Sequence, residues 1–194
     1  TDIKRLIAYT SVSHMGFVLL GIYAWNLYGL QGAVMTMLAH GLSAAALFMI
    51  AGGIQHRLHS RDMGKISGLW SQLPMLSAMA LFFSIAAVGM PGLGNFIGEF
   101  LSLLGAFQAN RTVTAISALG PYKIPERVGQ SAIPEDLSGV EMLCYGLMAL
   151  GLVWMGMYPQ SFLALSGPGL EGLLQAVAAF SDELASAAIN GGAL

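Results

Sequence analysis

The 194-residue chain is 56% hydrophobic and only 9% charged, with a formal net charge of −2. Soluble domains carry about 25% charged residues, so this composition excludes a water-exposed globule, and the few basic residues leave no nucleic-acid footprint. A single cysteine, Cys144, permits neither an intrachain disulfide nor a cysteine-based metal cage; within its apolar run it reads as a small buried hydrophobe.

The chain opens on TDIKR, with neither an initiator Met nor a signal peptide, and reads as a point within a longer protein. Residues 6–25 hold no full charge and suffice to cross ~30 Å of hydrocarbon. A polar turn at 26–29 leads to a second span over 30–54, rich in small residues that let helix backbones approach closely in lipid. The polar, basic stretch that follows contains Trp70, suited to a membrane interface. His56 and His59 in that stretch read as solvated, and two histidines without a third ligand mark no metal site.

Residues 73–108 are too long for one straight crossing and contain a glycine-proline interruption, so they read as a discontinuous span. Lys4 and Arg5 precede the first span, and Arg57, Arg61 and Lys65 follow the second. Two antiparallel crossings put both groups on one side, which the positive-inside rule makes cytoplasmic or matrix. Residues 112–120 begin like another span but stop after nine residues, about 14 Å of helix. Three prolines and alternating charges make 121–137 a loop. A last good span covers 138–158. In the tail, Leu170, Leu173, Leu174, Val177 and Phe180 recur near helical spacing, predicting a surface amphipathic helix over 168–189.

The expected fold is therefore an all-α integral membrane protein: a multi-span helix bundle with one discontinuous transmembrane helix and a C-terminal amphipathic helix. Residues 1–163 form the transmembrane domain and 164–194 the tail.

The interruption, AAVGMPGLGNFIGEF over 86–100, carries the chemistry. Pro91 lacks an N–H and its ring collides with the Ala87 carbonyl, while Gly89, Gly92 and Gly94 relax the backbone around it. Non-helical backbone at membrane depth is tolerated where protein or a water-filled cavity satisfies it, and broken helices recur at ion sites of transporters. Glu99, just beyond the break, is an intramembrane acid, and such groups face protein or water rather than lipid.

At 1.5 Å per residue, His14 lies roughly 12 Å and His40 roughly 20 Å from the inner face, and Glu99 roughly 15 Å from the outer. All three fall near the midplane. Thr36, His40 and Ser43 share one helix face at i, i+4 and i+7. Histidine exchanges protons near neutrality at small cost, so two imidazoles and a carboxyl at one depth point to a proton relay.

TDIKRLIAYTSVSHMGFVLLGI, MLAHGLSAAALFMIAGGI, HSRDMGKISGLW and VGMPGLGNFIGEFL together resemble the antiporter-like M subunits (chain 4 in mitochondria) of proton-pumping NADH:quinone oxidoreductase, respiratory complex I. The similarity runs over about 1–120 and resumes over 136–163. It implies a multi-span membrane-arm subunit of the bacterial inner or mitochondrial inner membrane. Such a subunit carries protons within the bilayer, beside other membrane-arm subunits. FMN, iron–sulfur clusters and quinone belong to other subunits, so no cofactor is bound by this chain. It places His14 and His40 in a central polar axis and Glu99 in the second broken helix, late in the route to the positive side. A first broken helix, with its lysine and glutamate, is expected before Thr1. A further apolar crossing is expected where PYKIPERV follows ISALG, the place where the span count also fails.

Two other readings stand beside this one: a cation/proton antiporter or membrane-bound hydrogenase subunit, and a truncated assembly copy that conducts nothing. A free-standing enzyme finds no support: there is no phosphate loop on a strand–turn–helix, no nucleophile triad and no cysteine set for iron–sulfur ligation.

Overall fold

The computed structural model describes residues 2–65, 68–118 and 137–191. Among them, eight α-helices follow in order: α1 Ile3–Tyr23, α2 Leu27–Leu58, α3 Leu69–Gln72, α4 Pro74–Ala87, α5 Gly94–Ala109, α6 Arg111–Ala118, α7 Gly139–Met157 and α8 Gln160–Gly191. Helix starts follow local chemistry. Asp2 accepts from the Lys4 and Arg5 N–H groups at the head of α1, and Asn26 accepts from Gly29 N–H at the head of α2. Pro74 opens α4, where its missing N–H costs nothing. Ser138 and Glu141 form a reciprocal capping box on α7.

α2 is the spine of the bundle, packed against α1, α4, α5, α7 and α8. It runs to Leu58 rather than to 54, so His56 and Arg57 belong to its last turn and not to the following loop. His59 ends it in the left-handed conformation at φ 51°. The two basic clusters meet at this end, where Ile3 N–H donates to the Arg61 carbonyl at 3.1 Å.

α1, α2, α7 and residues Gln160–Ala185 of α8 are long and apolar enough to cross a membrane. At about 21 and 24 Å, α4 and α5 cross only in series, as two half-helices joined through 88–93. α5 ends beside the start of α2, with Asn26 Nδ2 donating to the Gly105 carbonyl at 2.8 Å. α7 begins at the opposite end of α2, where Arg57 Nη2 meets Glu141 Oε2 at 2.8 Å. Residues 110 and 138 therefore stand at opposite ends of the bundle. α6 covers about 12 Å, and the loop expected over 121–137, with the crossing expected there, lies outside the described residues apart from Leu137.

The tail helix and Cys144 also depart from expectation. The tail helix begins at Gln160, eight residues before the expected 168, and continues through Pro168. Proline removes one intrahelical bond, and the small Gly167 beside it seats the helix closely against α2, next to Gln31. Leu163, Leu170 and Leu174 are half-buried, whereas Leu173, Val177 and Phe180 are exposed. Cys144 is exposed rather than buried. α7 buries Tyr145, Leu152 and Met155 and turns Cys144 outward. An apolar run in a membrane helix thus says nothing about which side faces protein.

The α1–α2–α5 seam is built on small residues. A Cβ on Gly32 would strike Ser102, one on Gly105 would strike the Gly29 backbone, and one on Gly98 would lie 2.6 Å from Thr36 N and 2.8 Å from its Cα. In lipid such close approach replaces the hydrophobic effect as the source of helix association. A Gly98→Leu variant of the full-length protein is expected to lose at least about 1–3 kcal/mol through overpacking, read as a lower thermal midpoint of the assembled membrane protein. Gly52→Ala, where an added Cβ meets nothing within 4 Å, is expected not to lower that midpoint.

Candidate functional site

Three helices converge on the break between α4 and α5. Gly89 and Gly92 adopt φ values of +78° and +94°, a region that side chains rarely enter, and with Pro91 between them they open the backbone over 88–93. Gly94 works differently from the expectation. It is the first residue of α5, without a positive φ, and an added Cβ would lie 3.0 Å from both Ala39 Cβ and Met155 Cβ. It provides close packing against α2 and α7 rather than backbone freedom.

The opening makes room for an acid. A Cβ on Gly89 would come within 2.9 Å of Glu99 Oε2, so the carboxyl lies against the opened backbone. Its other oxygen, Oε1, is 2.7 Å from His14 Nδ1 on α1. Side-chain exposures of 9% for His14 and 17% for Glu99 place this contact inside the bundle. The His14 and His40 rings pack with centroids 4.7 Å apart and tilted by 35°, a ring contact rather than a hydrogen bond. The structure therefore brings Glu99, His14 and His40 into one continuous cluster from three helices.

The supporting residues line the α2–α5 seam. Thr36 and Ser43, one turn either side of His40, are fully buried. Ser43 Oγ donates to the His40 carbonyl at 3.2 Å and accepts from Asn95 Nδ2 at 3.1 Å. Asn95 Nδ2 also donates to the Ala86 carbonyl at 2.7 Å, at the end of α4. Thr36 Oγ1, His40 Nδ1, Asn95 Oδ1 and Ser102 Oγ are buried without a hydrogen-bond partner among the described residues. Buried polar atoms normally find partners, so a row of four is a notable polar reserve in an otherwise apolar bundle.

Asn95 and Ser102 were not among the expected site residues. Their spacing held the signal: with Glu99 they fall at i−4 and i+3, on one face of α5.

A proton lies within this cluster by necessity. A carboxyl oxygen and an imidazole nitrogen at 2.7 Å are bridged by one, on the imidazolium or neutral N–H side or on the carboxyl side. The cluster can thus hold a proton between a carboxyl and an imidazole, beside the opened backbone of the break.

Comparison with known proteins agrees with this architecture. Residues 1–121 match the family described as NADH:quinone oxidoreductase/Mrp antiporter, TM. The chain is 45% identical over 199 residues to NADH-quinone oxidoreductase subunit M of Pseudomonas aeruginosa, covering 95% of this chain and 39% of that protein. It is 39% identical over 176 residues to NADH-ubiquinone oxidoreductase chain 4 of Chondrus crispus, covering 84% and 36%. Among solved structures, a chain of respiratory complex I from Thermus thermophilus with bound NADH superposes with a TM-score of 0.81 at 32% identity, covering 90% of this chain and 40% of that one. The chain spans about two fifths of the length of the relatives it matches. A multi-span helix bundle with a discontinuous transmembrane helix, matched to the family profile over more than half its length, this chain belongs to the NADH:quinone oxidoreductase/Mrp antiporter transmembrane family.

Proposed function

We propose that this chain is part of a proton-translocating membrane-arm subunit of NADH:quinone oxidoreductase, with Glu99, His14 and His40 as its proton-carrying groups. The observation that carries the reading is the 2.7 Å contact between Glu99 and His14 beside the opened backbone of the α4–α5 break. Supporting it are the names of the relatives, which are subunits of that enzyme, and the ring contact that extends the cluster to His40.

In this reading His14 and Glu99 exchange the proton they share. Protonation of His14 from the His40 side favours transfer of the bridging Nδ1 proton to Glu99. Loss of the Glu99 proton toward the outer end of α5 leaves His14 protonated on its other nitrogen, and a ring flip or tautomer exchange of His14 then restores the bridging proton. The His14–His40 step needs a ring reorientation or one intervening water, since the rings pack without a hydrogen bond. Redox chemistry at FMN, iron–sulfur clusters and quinone is assigned to other subunits, and this chain acts in the bilayer of a bacterial or mitochondrial inner membrane beside them. The family description also covers Mrp antiporters, which favours cation/proton antiport as a second reading. Under that reading proton movement depends on sodium or potassium, and under the first it does not.

Glu99→Gln removes the titratable group with little change in volume. In sealed vesicles containing the whole complex, it is expected to lower NADH-driven acidification and coupled quinone reduction about tenfold, ~1.4 kcal/mol of barrier, while the complex still assembles. Unchanged pumping and yield would instead leave the chain a structural copy.

His40→Ala is expected to weaken both activities by a smaller factor, because water can occupy the vacated space and bridge to His14. Acidification assays on vesicles matched for complex content read this difference; a loss larger than that of Glu99→Gln would contradict the order of the groups.

A further inference from the structure

One buried amide ties α5, which carries Glu99, to the end of α4 and to the turn of α2 that carries His40. Asn95 is fully buried in the first turn of α5, and its Nδ2 reaches across the break to the Ala86 carbonyl at 2.7 Å and across the seam to Ser43 Oγ at 3.1 Å. The orientation of the amide follows from chemistry. The Ala86 carbonyl can only accept, so the NH2 group and not Oδ1 must face it. Proton accounting then closes through Ser43, which accepts from Asn95 and donates to the His40 carbonyl.

The local ends of the two half-helices leave this task open. The N-cap of α5 is Leu93, whose side chain makes no capping bond. At the end of α4 the Ala86 carbonyl receives Gly89 N–H at 3.1 Å, a bond within the turn that does not reach α5. Asn95 supplies the bond that does, acting as a remote C-terminal cap for α4 from within α5. Glu99 follows Asn95 by four residues, on the same face and one turn further along. Whatever sets the position of Asn95 also sets the height and rotation at which Glu99 meets His14.

We propose that Asn95 is a positioning residue of the proton pathway, pinning α4, α5 and the His40–Ser43 turn of α2 in one register so that Glu99 and His40 flank His14. This rests on the proton-carrying role proposed for Glu99, so Glu99→Gln serves as the reference in every assay.

The test uses the whole complex in sealed vesicles, with Asn95→Leu and Asn95→Asp compared at equal complex content. Asn95→Leu keeps similar bulk without donors, and about tenfold lower pumping per assembled complex is expected, as for loss of a buried bond. Asn95→Asp separates positioning from bulk structure. As a carboxylate it cannot donate to Ala86, whereas as a carboxylic acid it donates one bond. Its activity relative to wild type at the same pH should therefore rise as pH falls. The titratable groups facing this region are Glu99 on α5, His14 on α1 and His40 on α2, and the ratio removes the part of their titration that wild type and variant have in common. A ratio independent of pH, or Asn95→Leu pumping at the wild-type rate per complex, overturns the proposal. If Glu99→Gln impairs pumping while both Asn95 variants match wild type, only the positioning role fails. If Glu99→Gln also matches wild type, the proton-carrying reading fails with it.

Discussion

A carboxyl and an imidazole drawn together to 2.7 Å inside an apolar bundle constrain everything around them. Neither group is stable at that depth alone, because an intramembrane charge or unpaired polar group is expensive. Together they share a proton and lower each other's cost. The contact exists only if α1 and α5 approach closely, if α5 begins at the right height, and if the carboxyl has room beside it. Each of those conditions is visible as a separate feature of the chain.

Close approach comes from the glycines and hydroxyl residues of the seam, where Gly21, Gly29, Gly32, Gly98 and Gly105 leave no space for a side chain. Height comes from the break, since a continuous helix over 74–109 would carry Glu99 on a single rigid register with α4. Room comes from Gly89, whose missing Cβ is where the carboxyl rests. The opened backbone is thus more than a consequence of Pro91. It is the place where apolar packing gives way to polar atoms, and it is kept in order by protein bonds such as the one from Asn95 to Ala86.

Much of this was legible in the residues. Helix order, the discontinuous helix and the nearness of His14, His40 and Glu99 follow from hydropathy, Pro91 with its glycines, and the 1.5 Å rise, because these are one-dimensional properties. Rotation about a helix axis is not. Cys144 therefore faced outward against expectation, and Asn95 and Ser102 were overlooked although they share the Glu99 face. Helix ends set by packing were also hidden: α2 gains an extra turn where Arg57 finds Glu141 on a helix 84 residues away. The tail helix runs through Pro168 because Gly167 seats against α2, a contact no local rule foretells. Gly94 was assigned to the right place for the wrong reason, since small size and backbone freedom look alike in a sequence.

The central claim is that the proton between Glu99 and His14 moves during turnover. Infrared difference spectroscopy of the whole complex in membranes, triggered by NADH, reads carboxyl protonation directly. A carboxyl band that changes with turnover in wild type and is lost in Glu99→Gln is the expected result. A turnover spectrum with the same carboxyl bands in wild type and Glu99→Gln would contradict it.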